Sequence, residues 1–395
     1  QRLSIVAGRW NTIISEYIEQ LAKGSQSRAE IDNPYICGVP LNDQQEVFVG
    51  RADIMTRIEH LILSENCPPL LLYGQRRMGK TSLLLNISHL LPTKIIPCFV
   101  DAQGITIHQD PIGATQAIIA TACESAWRTR SIVLPQCPVD GSDGMSLNDI
   151  KTWLDQTGAL LTSRGLDLLM MIDEFEALGY PYKSQTPFTT DLMILMRHVL
   201  QHHSWFRIIF SGAHAIDEMD RWSHFLINSQ ILKISYLEAH EALRLIEQPV
   251  RDFGLNHTAQ TAWHILGLTS GHPYLLQALC FELVMLKNEQ PEDIRHTASY
   301  HDIEEAAKRV FTSNRFFFAD ITNAQITPAA RYMLSYLAGM GKGRMITADE
   351  WQQLFPENFQ SNLNVILRRD LVTPDGPGYR FQVELIRRWF DQQMV

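Results

Sequence analysis

The segment that most constrains the fold is a glycine-framed turn between a short apolar run and a helix-forming run. Residues 74–81 are Gly-Gln-Arg-Arg-Met-Gly-Lys-Thr, which is the spacing of a phosphate-binding loop (P-loop). Leu-Leu-Leu-Tyr at 70–73 has the composition of a buried strand, and residues 82–87 are typical of a helix. Strand, loop and helix in this order make the motif credible. The segment therefore predicts an α/β sheet with a phosphate site at its edge.

Each residue type in the loop has a chemical reason. The glycines let the backbone curl so that several N–H groups converge on one phosphate, and the following helix adds the positive end of its dipole. Lys80 is expected to reach the β- and γ-phosphates, and the Thr81 hydroxyl to ligate Mg²⁺. The predicted ligands of ATP or ADP in this segment are Gly74, Gln75, Arg76, Arg77, Met78, Gly79, Lys80, Thr81 and Ser82.

A second motif ends an apolar run in two carboxylates. Residues 166–174 are Leu-Asp-Leu-Leu-Met-Met-Ile-Asp-Glu, as expected for a parallel strand buried on both faces. Ligands of such sheets bind beyond the carboxyl ends of the strands. Asp173 is therefore predicted to hold Mg²⁺ directly or through water, and Glu174 to orient or deprotonate an attacking water. The alternative is that the strand simply ends in a solvated acidic turn. The complete P-loop earlier in the chain makes this alternative less favoured.

Length and composition narrow the class of protein. A chain of 395 residues is too long for one typical core, so two or three domains are expected. The net charge of 34 − 43 = −9 argues against a wholesale binder of nucleic acid or anionic membrane, although a local basic patch remains open. Six scattered cysteines, no signal peptide and no membrane-length apolar stretch predict a cytoplasmic protein with reduced thiols.

The sequence pattern divides the chain into four segments. An amphipathic helix and linker are predicted at 1–32, either packed on the body or belonging to an upstream domain. Residues 33–237 alternate strands and helices, 238–325 are helical, and 326–395 combine three helices with a β-wing, which indicates a winged helix. The strands of the predicted parallel sheet are 69–73, 95–100, 167–172, 206–211 and 231–235.

Several weaker signals leave alternatives open. Ser211 ends the apolar strand 206–211 and is expected to sense the γ-phosphate, as a polar group there can in P-loop ATPases; otherwise it caps the strand. Arg207 and Arg221 are either members of a transition-state clamp or solvated side chains. The pair His198 and His202 lacks the Glu of a zinc motif, so no metal is assigned there.

The order of these motifs resembles one group of proteins. The chain has Asn-Pro-Tyr at 33–35 with Gly-Val-Pro-Leu at 38–41, then Phe-Val-Gly-Arg, the P-loop, Ile-Asp-Glu, Phe-Ser-Gly, Glu-Gln-Pro-Val and Ser-Gly-His-Pro-Tyr-Leu-Leu-Gln at 270–277. Over residues 33–395 this resembles the bacterial STAND ATPases (signal-transduction ATPases with numerous domains) and their origin-recognition-like AAA+ relatives. The resemblance implies a P-loop NTPase sheet of the ASCE/AAA+ type, followed by a helical lid and a winged helix.

The resemblance also implies site residues and a working cycle. Val49, Gly50 and Arg51 would lie against the adenine, while His272 and Pro273 would bring the lid onto the nucleotide. Such proteins alternate between a closed ADP state and an open ATP state that oligomerises and activates an effector. Here no sensor repeats follow the winged helix, and no effector is recognisable before residue 33.

Two functions remain open. One is a slowly hydrolysing ATP switch that controls self-association or a protein effector; the other is a DNA-associated AAA+ loader or transposition-type regulator. Two features of residues 326–395 favour protein packing over DNA. The charges are nearly balanced, with eight Lys/Arg and seven Asp/Glu. The recognition helix carries the apolar Leu363, Val365, Ile366 and Leu367, although some of these must serve the small core of the domain itself. A GTPase is disfavoured because no Asn-Lys-x-Asp motif is present.

Overall fold

The structure is a computed structural model of the chain. It describes residues 30–41, 47–64, 67–105, 111–136, 145–179, 195–200, 202–213 and 228–393. Two earlier predictions lie outside the described residues: the amphipathic helix within residues 1–32 and the role of Arg221.

Five parallel strands form the central sheet, as the apolar runs predict. They are β1 Leu70–Tyr73, β2 Ile95–Asp101, β3 Asp167–Asp173, β4 Phe206–Gly212 and β5 Gln230–Lys233. Their spatial order is β2-β3-β4-β1-β5. Since β4 lies between β1 and β3, the end of β4 separates the P-loop from the two carboxylates. All three strand ends meet at one edge of the sheet, where ligands of parallel sheets bind.

Helices cover both faces of this sheet. They are α1 Ala52–Leu63, α2 Lys80–Leu90, α3 Ala102–Ile105, α4 Pro111–Arg130 and α5 Leu147–Arg164, with a 3₁₀ turn at Phe175–Gly179. Successive strand residues alternate between two cores: Leu70 and Leu72 pack towards α1 and α2, whereas Leu71 packs towards α4 and α5. Burial on both faces explains why the strands are continuously apolar.

Helices dominate after β5. They are α6 Ala239–Glu247, α7 Ala259–Thr269, α8 Pro273–Asn288, α9 Glu292–Arg295, α10 Tyr300–Ser313 and α11 Arg315–Asn323. The winged helix follows as α12 Pro328–Gly339, β6 Ile346–Thr347, α13 Ala348–Leu354, α14 Phe359–Arg368, β7 Val372–Asp375, β8 Gly378–Phe381 and α15 Glu384–Gln392. Its antiparallel sheet has the order β6-β8-β7.

The helical part and the winged helix share one hydrophobic core. Polar contacts reinforce this union, because Glu304 of α10 accepts hydrogen bonds from Arg388 of α15 at 2.7 and 3.2 Å. The same carboxylate lies 2.8 Å from His264 of α7. The boundaries predicted at 237/238 and 325/326 stay predictions.

An extended segment, residues 31–41, crosses from the helical part to the P-loop helix; we call it the strap. Its first residue exchanges backbone hydrogen bonds with the side chain of Asn288, at the end of α8. Further along, the side chain of Gln277 accepts from the strap backbone at 2.9 Å. The backbone N–H of Leu41 then donates to Ser82 Oγ of α2 at 3.0 Å. The strap therefore ties α8 to the P-loop helix.

Candidate nucleotide site

The P-loop turn depends on its two glycines. A Cβ atom at Gly74 would lie 2.3 Å from the carbonyl oxygen of Ile234, so the chain passes too close for any side chain. Gly79 precedes α2 with a φ of 86°, in the left-handed region that favours glycine. The turn therefore delivers the next residue, Lys80, to the first position of α2.

Lys80 is held inside the loop. Its Nζ donates to the carbonyl oxygens of Gly74 and Gln75, each at 2.8 Å, and the residue is 7% exposed. Burial lowers the pKa of Lys80, whereas the nearby carboxylates, Asp173 first, act in the opposite direction. A buried ammonium in this position is suited to binding a phosphate oxygen.

The two residues assigned to Mg²⁺ are in direct contact. Thr81 Oγ1 donates to Asp173 Oδ2 at 2.6 Å, and Asp173 is 4% exposed. A hydroxyl and a carboxylate are the hard oxygen ligands that Mg²⁺ prefers, so this donor set fits the ion. Within the described residues no cluster of three or more His, Cys, Asp or Glu side chains is suited to a metal.

Glu174 follows β3 in a left-handed conformation, with a φ of 48°. Gln103, just after β2, donates a hydrogen bond to the Glu174 carboxylate. Burial and the neighbouring charges of Glu176 and Asp173 raise the pKa of Glu174. A carboxylate with a raised pKa is a better proton acceptor, which suits the general base predicted here.

The end of β4 is held by the 3₁₀ turn. Glu176 Oε1 accepts from the backbone N–H of Ala213 at 2.7 Å, so the turn after β3 fixes the residues that follow β4. Ser211 is fully buried, and its Oγ has no hydrogen-bond partner among the described residues. Its assignment as a phosphate sensor stays a prediction.

A cavity of about 530 Å³ opens at this edge of the sheet. Eight of the predicted site residues line it: Arg76, Arg77, Gly79, Lys80, Thr81, Ser82, Glu174 and Pro273. The other predicted residues do not line it: Val49, Gly50, Arg51, Gly74, Gln75, Met78, Asp173, Ser211 and His272. Asp173 and Met78 lie directly behind the lining, the first against Thr81 and the second in the core beneath the loop.

The cavity also has walls that the sequence did not predict. They are formed by Ile36, Gly38, Val39, Pro40, Leu41, Gln103, Tyr274, Gln277 and Asp320. The strap residues carry the Gly-x-Pro-Leu motif, and Tyr274 follows Gly-His-Pro. These motifs could therefore have been used to predict that the strap and Tyr274 line the cavity. Gln103 and Asp320 lie in no motif, and only the fold brings them to the site.

The lid contacts the P-loop arginines directly. The Arg77 guanidinium lies over the ring of Tyr274, 4.3 Å from its centroid, and 5.6 Å from the ring of Phe317. Such stacking is a cation–π interaction. Beside it, Arg76 Nη1 lies 3.7 Å from Asp320 Oδ1 of α11.

Arg51 joins three parts of the molecule. Its backbone N–H donates to Glu241 Oε1 of α6 at 2.9 Å. Its guanidinium donates to the carbonyl oxygens of Ser235, of Tyr236 at 3.2 Å and of Met78 at 3.4 Å. The side chain thus links the P-loop to the segment that connects the sheet with the lid.

The neighbours of Arg51 also lie against the lid. Val49 lines a second cavity of about 920 Å³, together with Arg244, residues 247–253 and residues 255–257. Gly50 lies so close to α6 that a Cβ atom would be 2.7 Å from the carboxyl carbon of Glu241. The adenine role of these residues stays a prediction.

His272 begins α8 from a buried position. It is 1% exposed, and its ring lies edge-on to the rings of Tyr236 and Phe317. Its Nδ1 accepts from the backbone N–H of Leu275 at 3.5 Å. Burial lowers the pKa of His272 to about 3. The neutral ring therefore caps α8, and its neighbour Pro273 reaches the cavity.

The sheet order, the P-loop and the helices beyond it define the fold of an AAA+ P-loop ATPase. A Walker-type ATPase of Pyrococcus abyssi has a similar structure, with a TM-score of 0.64 and 14% identity over 90% of this chain and 99% of that one. The ORC2 protein of Aeropyrum pernix, solved in ADPNP–ADP complexes, gives a TM-score of 0.52 and 15% identity over 92% and 97%. No protein-family model and no curated protein matches the sequence. These similarities support the AAA+ fold but do not single out the STAND group.

Within the described residues, no helix has the length and hydropathy needed to cross a membrane.

Proposed function

We propose that this protein binds ATP with Mg²⁺, hydrolyses it slowly, and uses the bound nucleotide to control the position of its lid and winged helix. One observation carries the proposal. A single cavity is lined by the P-loop, by Glu174, by the strap and by α8 and α11 of the lid. A nucleotide in this cavity would touch the elements that hold the lid against the sheet, and so its phosphate state can change their contacts.

The chemistry follows from the residues at the sheet edge. Lys80 would exchange its two carbonyl partners for phosphate oxygens, which are stronger acceptors because they are charged. Thr81 and Asp173 would hold Mg²⁺, which neutralises charge on the phosphates. Glu174 would accept a proton from the attacking water.

The hydrogen bond from Gln103 to Glu174 adds a positioning role. A carboxylate has two oxygens with about four lone-pair positions, so Glu174 can accept from Gln103 and from the attacking water together. Gln103 would then hold the carboxylate in place while it takes the proton.

Release of inorganic phosphate tests the proposal. Wild type should release phosphate from ATP, and Glu174→Gln should bind ATP but lose on the order of 10² or more in turnover. By size-exclusion chromatography, Glu174→Gln with ATP should differ from wild type with ADP in shape or oligomeric state. If Glu174→Gln has the turnover number of wild type, Glu174 is not the general base. If Glu174→Gln with ATP elutes as wild type with ADP does, the nucleotide does not act as a switch.

A second candidate function is DNA association. The exposed side chains of α14 include Gln360, Ser361, Asn364 and Arg368, which are polar and able to contact bases or phosphates. Leu363 and Ile366 are buried in the core of the winged helix itself, so these two residues are not available for packing against a partner. The near-neutral charge still disfavours strong phosphate binding.

A gel-shift titration with duplex DNA discriminates the two functions. The switch predicts only weak, salt-sensitive binding. Tight binding at a physiological ionic strength of about 0.15 M, lost on changing Arg368 and Arg369 to Ala, would make the DNA-associated function the better account.

A further inference from the structure

A lid carboxylate lies at the phosphate end of the cavity. Asp320 of α11 and Arg76 of the P-loop both line it, along with Lys80 and Glu174. Arg76 Nη1 is 3.7 Å from Asp320 Oδ1, while the other oxygen, Oδ2, accepts from Gln325 Nε2 at 2.7 Å. The carboxylate is therefore fixed by its own lid neighbour and directed at a P-loop cation.

The two P-loop arginines are held differently. Arg77 stacks on the uncharged ring of Tyr274, and a bound phosphate does not compete for that ring. Arg76 is paired with a carboxylate, and a phosphate oxygen is a direct competitor for such a partner. Arg76 and Asp320 are 54% and 35% exposed, so the pair itself adds little to stability. Its importance lies in the charge that it brings to the cavity.

On the proposed function, we infer that Asp320 sets the nucleotide preference of the site by competing with the γ-phosphate for Arg76. ATP carries one more phosphate than ADP and places it where Lys80 reaches. A fixed carboxylate at this end repels that phosphate and withholds a cation from it. ADP leaves the Arg76–Asp320 contact in place, and the lid remains joined to the P-loop. The pair thus favours ADP and a closed lid.

Calorimetric titration of the full chain with ATP and with ADP, both with Mg²⁺, tests this inference. Asp320→Asn should raise the ratio of ATP to ADP affinity about tenfold, which corresponds to about 1.4 kcal/mol. Asp320→Glu keeps the charge and should keep a ratio near that of wild type. The matched control is Glu289→Gln, which removes an exposed lid carboxylate paired with Arg309 outside the cavity and should leave the ratio unchanged.

The outcomes separate this inference from the proposed function. Binding of neither nucleotide by folded wild type would overturn both. Suppose that both nucleotides bind and that binding depends on Lys80. If wild type and Asp320→Asn then have the same ratio of ATP to ADP affinity, the role of Asp320 alone is overturned. An equal rise of the ratio in Glu289→Gln would also overturn it, because a general charge effect would then explain the result.

Discussion

Glu174, the proposed general base, has a pKa that its surroundings change. Burial and the charges of Glu176 and Asp173 raise its pKa above the usual range of a glutamate. A base accepts a proton only when it is ionised, so turnover should fall as the pH is lowered through this raised pKa. We expect the acid limb of the rate of phosphate release to lie above that of an ordinary glutamate, whose pKa is about 4.3. A limb in the ordinary range, or no limb, would contradict the assignment.

His272 makes folding sensitive to acid. An unfolded histidine takes up a proton near a pH of about 6.5, whereas the buried ring does so only near a pKa of about 3. Between these values the unfolded chain binds more protons, so the free energy of unfolding decreases as the pH falls. From about pH 7 to pH 5 the loss from this residue should be about 2 kcal/mol.

Urea unfolding at both pH values measures this loss. His272→Asn keeps a side chain that can cap α8 but removes the titrating ring, and it should lose less stability on acidification. His257, whose pKa burial lowers to about 4, is present in both proteins and cancels from the difference. Equal acid sensitivity of the two proteins would contradict a buried neutral His272.

Motif residues could be predicted from the sequence, whereas their partners could not. Lys80, Thr81 and Asp173 are defined by local spacing, and the structure brings them to one edge of the sheet. Gln103 and Asp320 reach the site from α3 and α11, far away along the chain. Their proximity depends on tertiary packing, which leaves no local pattern.

Among the elements, α14 shows how a pattern can mislead. Its apolar residues do not reveal from the sequence which of them serve the core of the winged helix; in the structure Leu363 and Ile366 do. One contact with the sheet is made by Asp370, just beyond the helix. Its Oδ1 lies 3.2 Å from Lys233 Nζ, and its carbonyl oxygen accepts from Tyr236 Oη at 3.1 Å. This contact of the winged helix with the sheet is polar.

A double-mutant cycle tests this docking contact. Lys233→Gln and Asp370→Asn should each increase amide hydrogen exchange at the end of α14, and together they should add little to either single change. Because the pair is partly exposed, each change should alter the free energy of unfolding by less than about 1 kcal/mol. Arg380→Gln, which breaks an ion pair within the wing, is the matched control and should leave α14 unchanged. Additive effects would mean that the two residues do not act together.

The strands of the central sheet were predictable because burial on both faces makes them continuously apolar. The run 206–211, for example, corresponds to Phe206–Gly212. The two-residue strand Ile346–Thr347 was not predicted, since so short a segment has no periodicity and is a strand only through pairing with Gly378 and Tyr379.

At the scale of the whole molecule, the cavity lies between two bodies. The sheet with its helices is one, and the lid with the winged helix, joined by a common core and by Glu304 and Arg388, is the other. The strap, Arg51 and the contacts of Arg76 and Arg77 connect them beside the cavity. The overall fold could be predicted from the order of the motifs. The partner of such a switch could not, because partner choice depends on surface chemistry that no motif encodes.

Calorimetric titration with ATP and Mg²⁺ is the measurement that tests the central claim most directly. Wild type should bind one ATP per chain. Lys80→Ala should remain folded by circular dichroism and show no measurable binding, because the ammonium that meets the phosphates is gone. Lys308→Ala, which removes an exposed lysine paired with Glu305 on the lid, should bind as wild type does. Normal ATP affinity in folded Lys80→Ala, or no binding by wild type, would contradict the account.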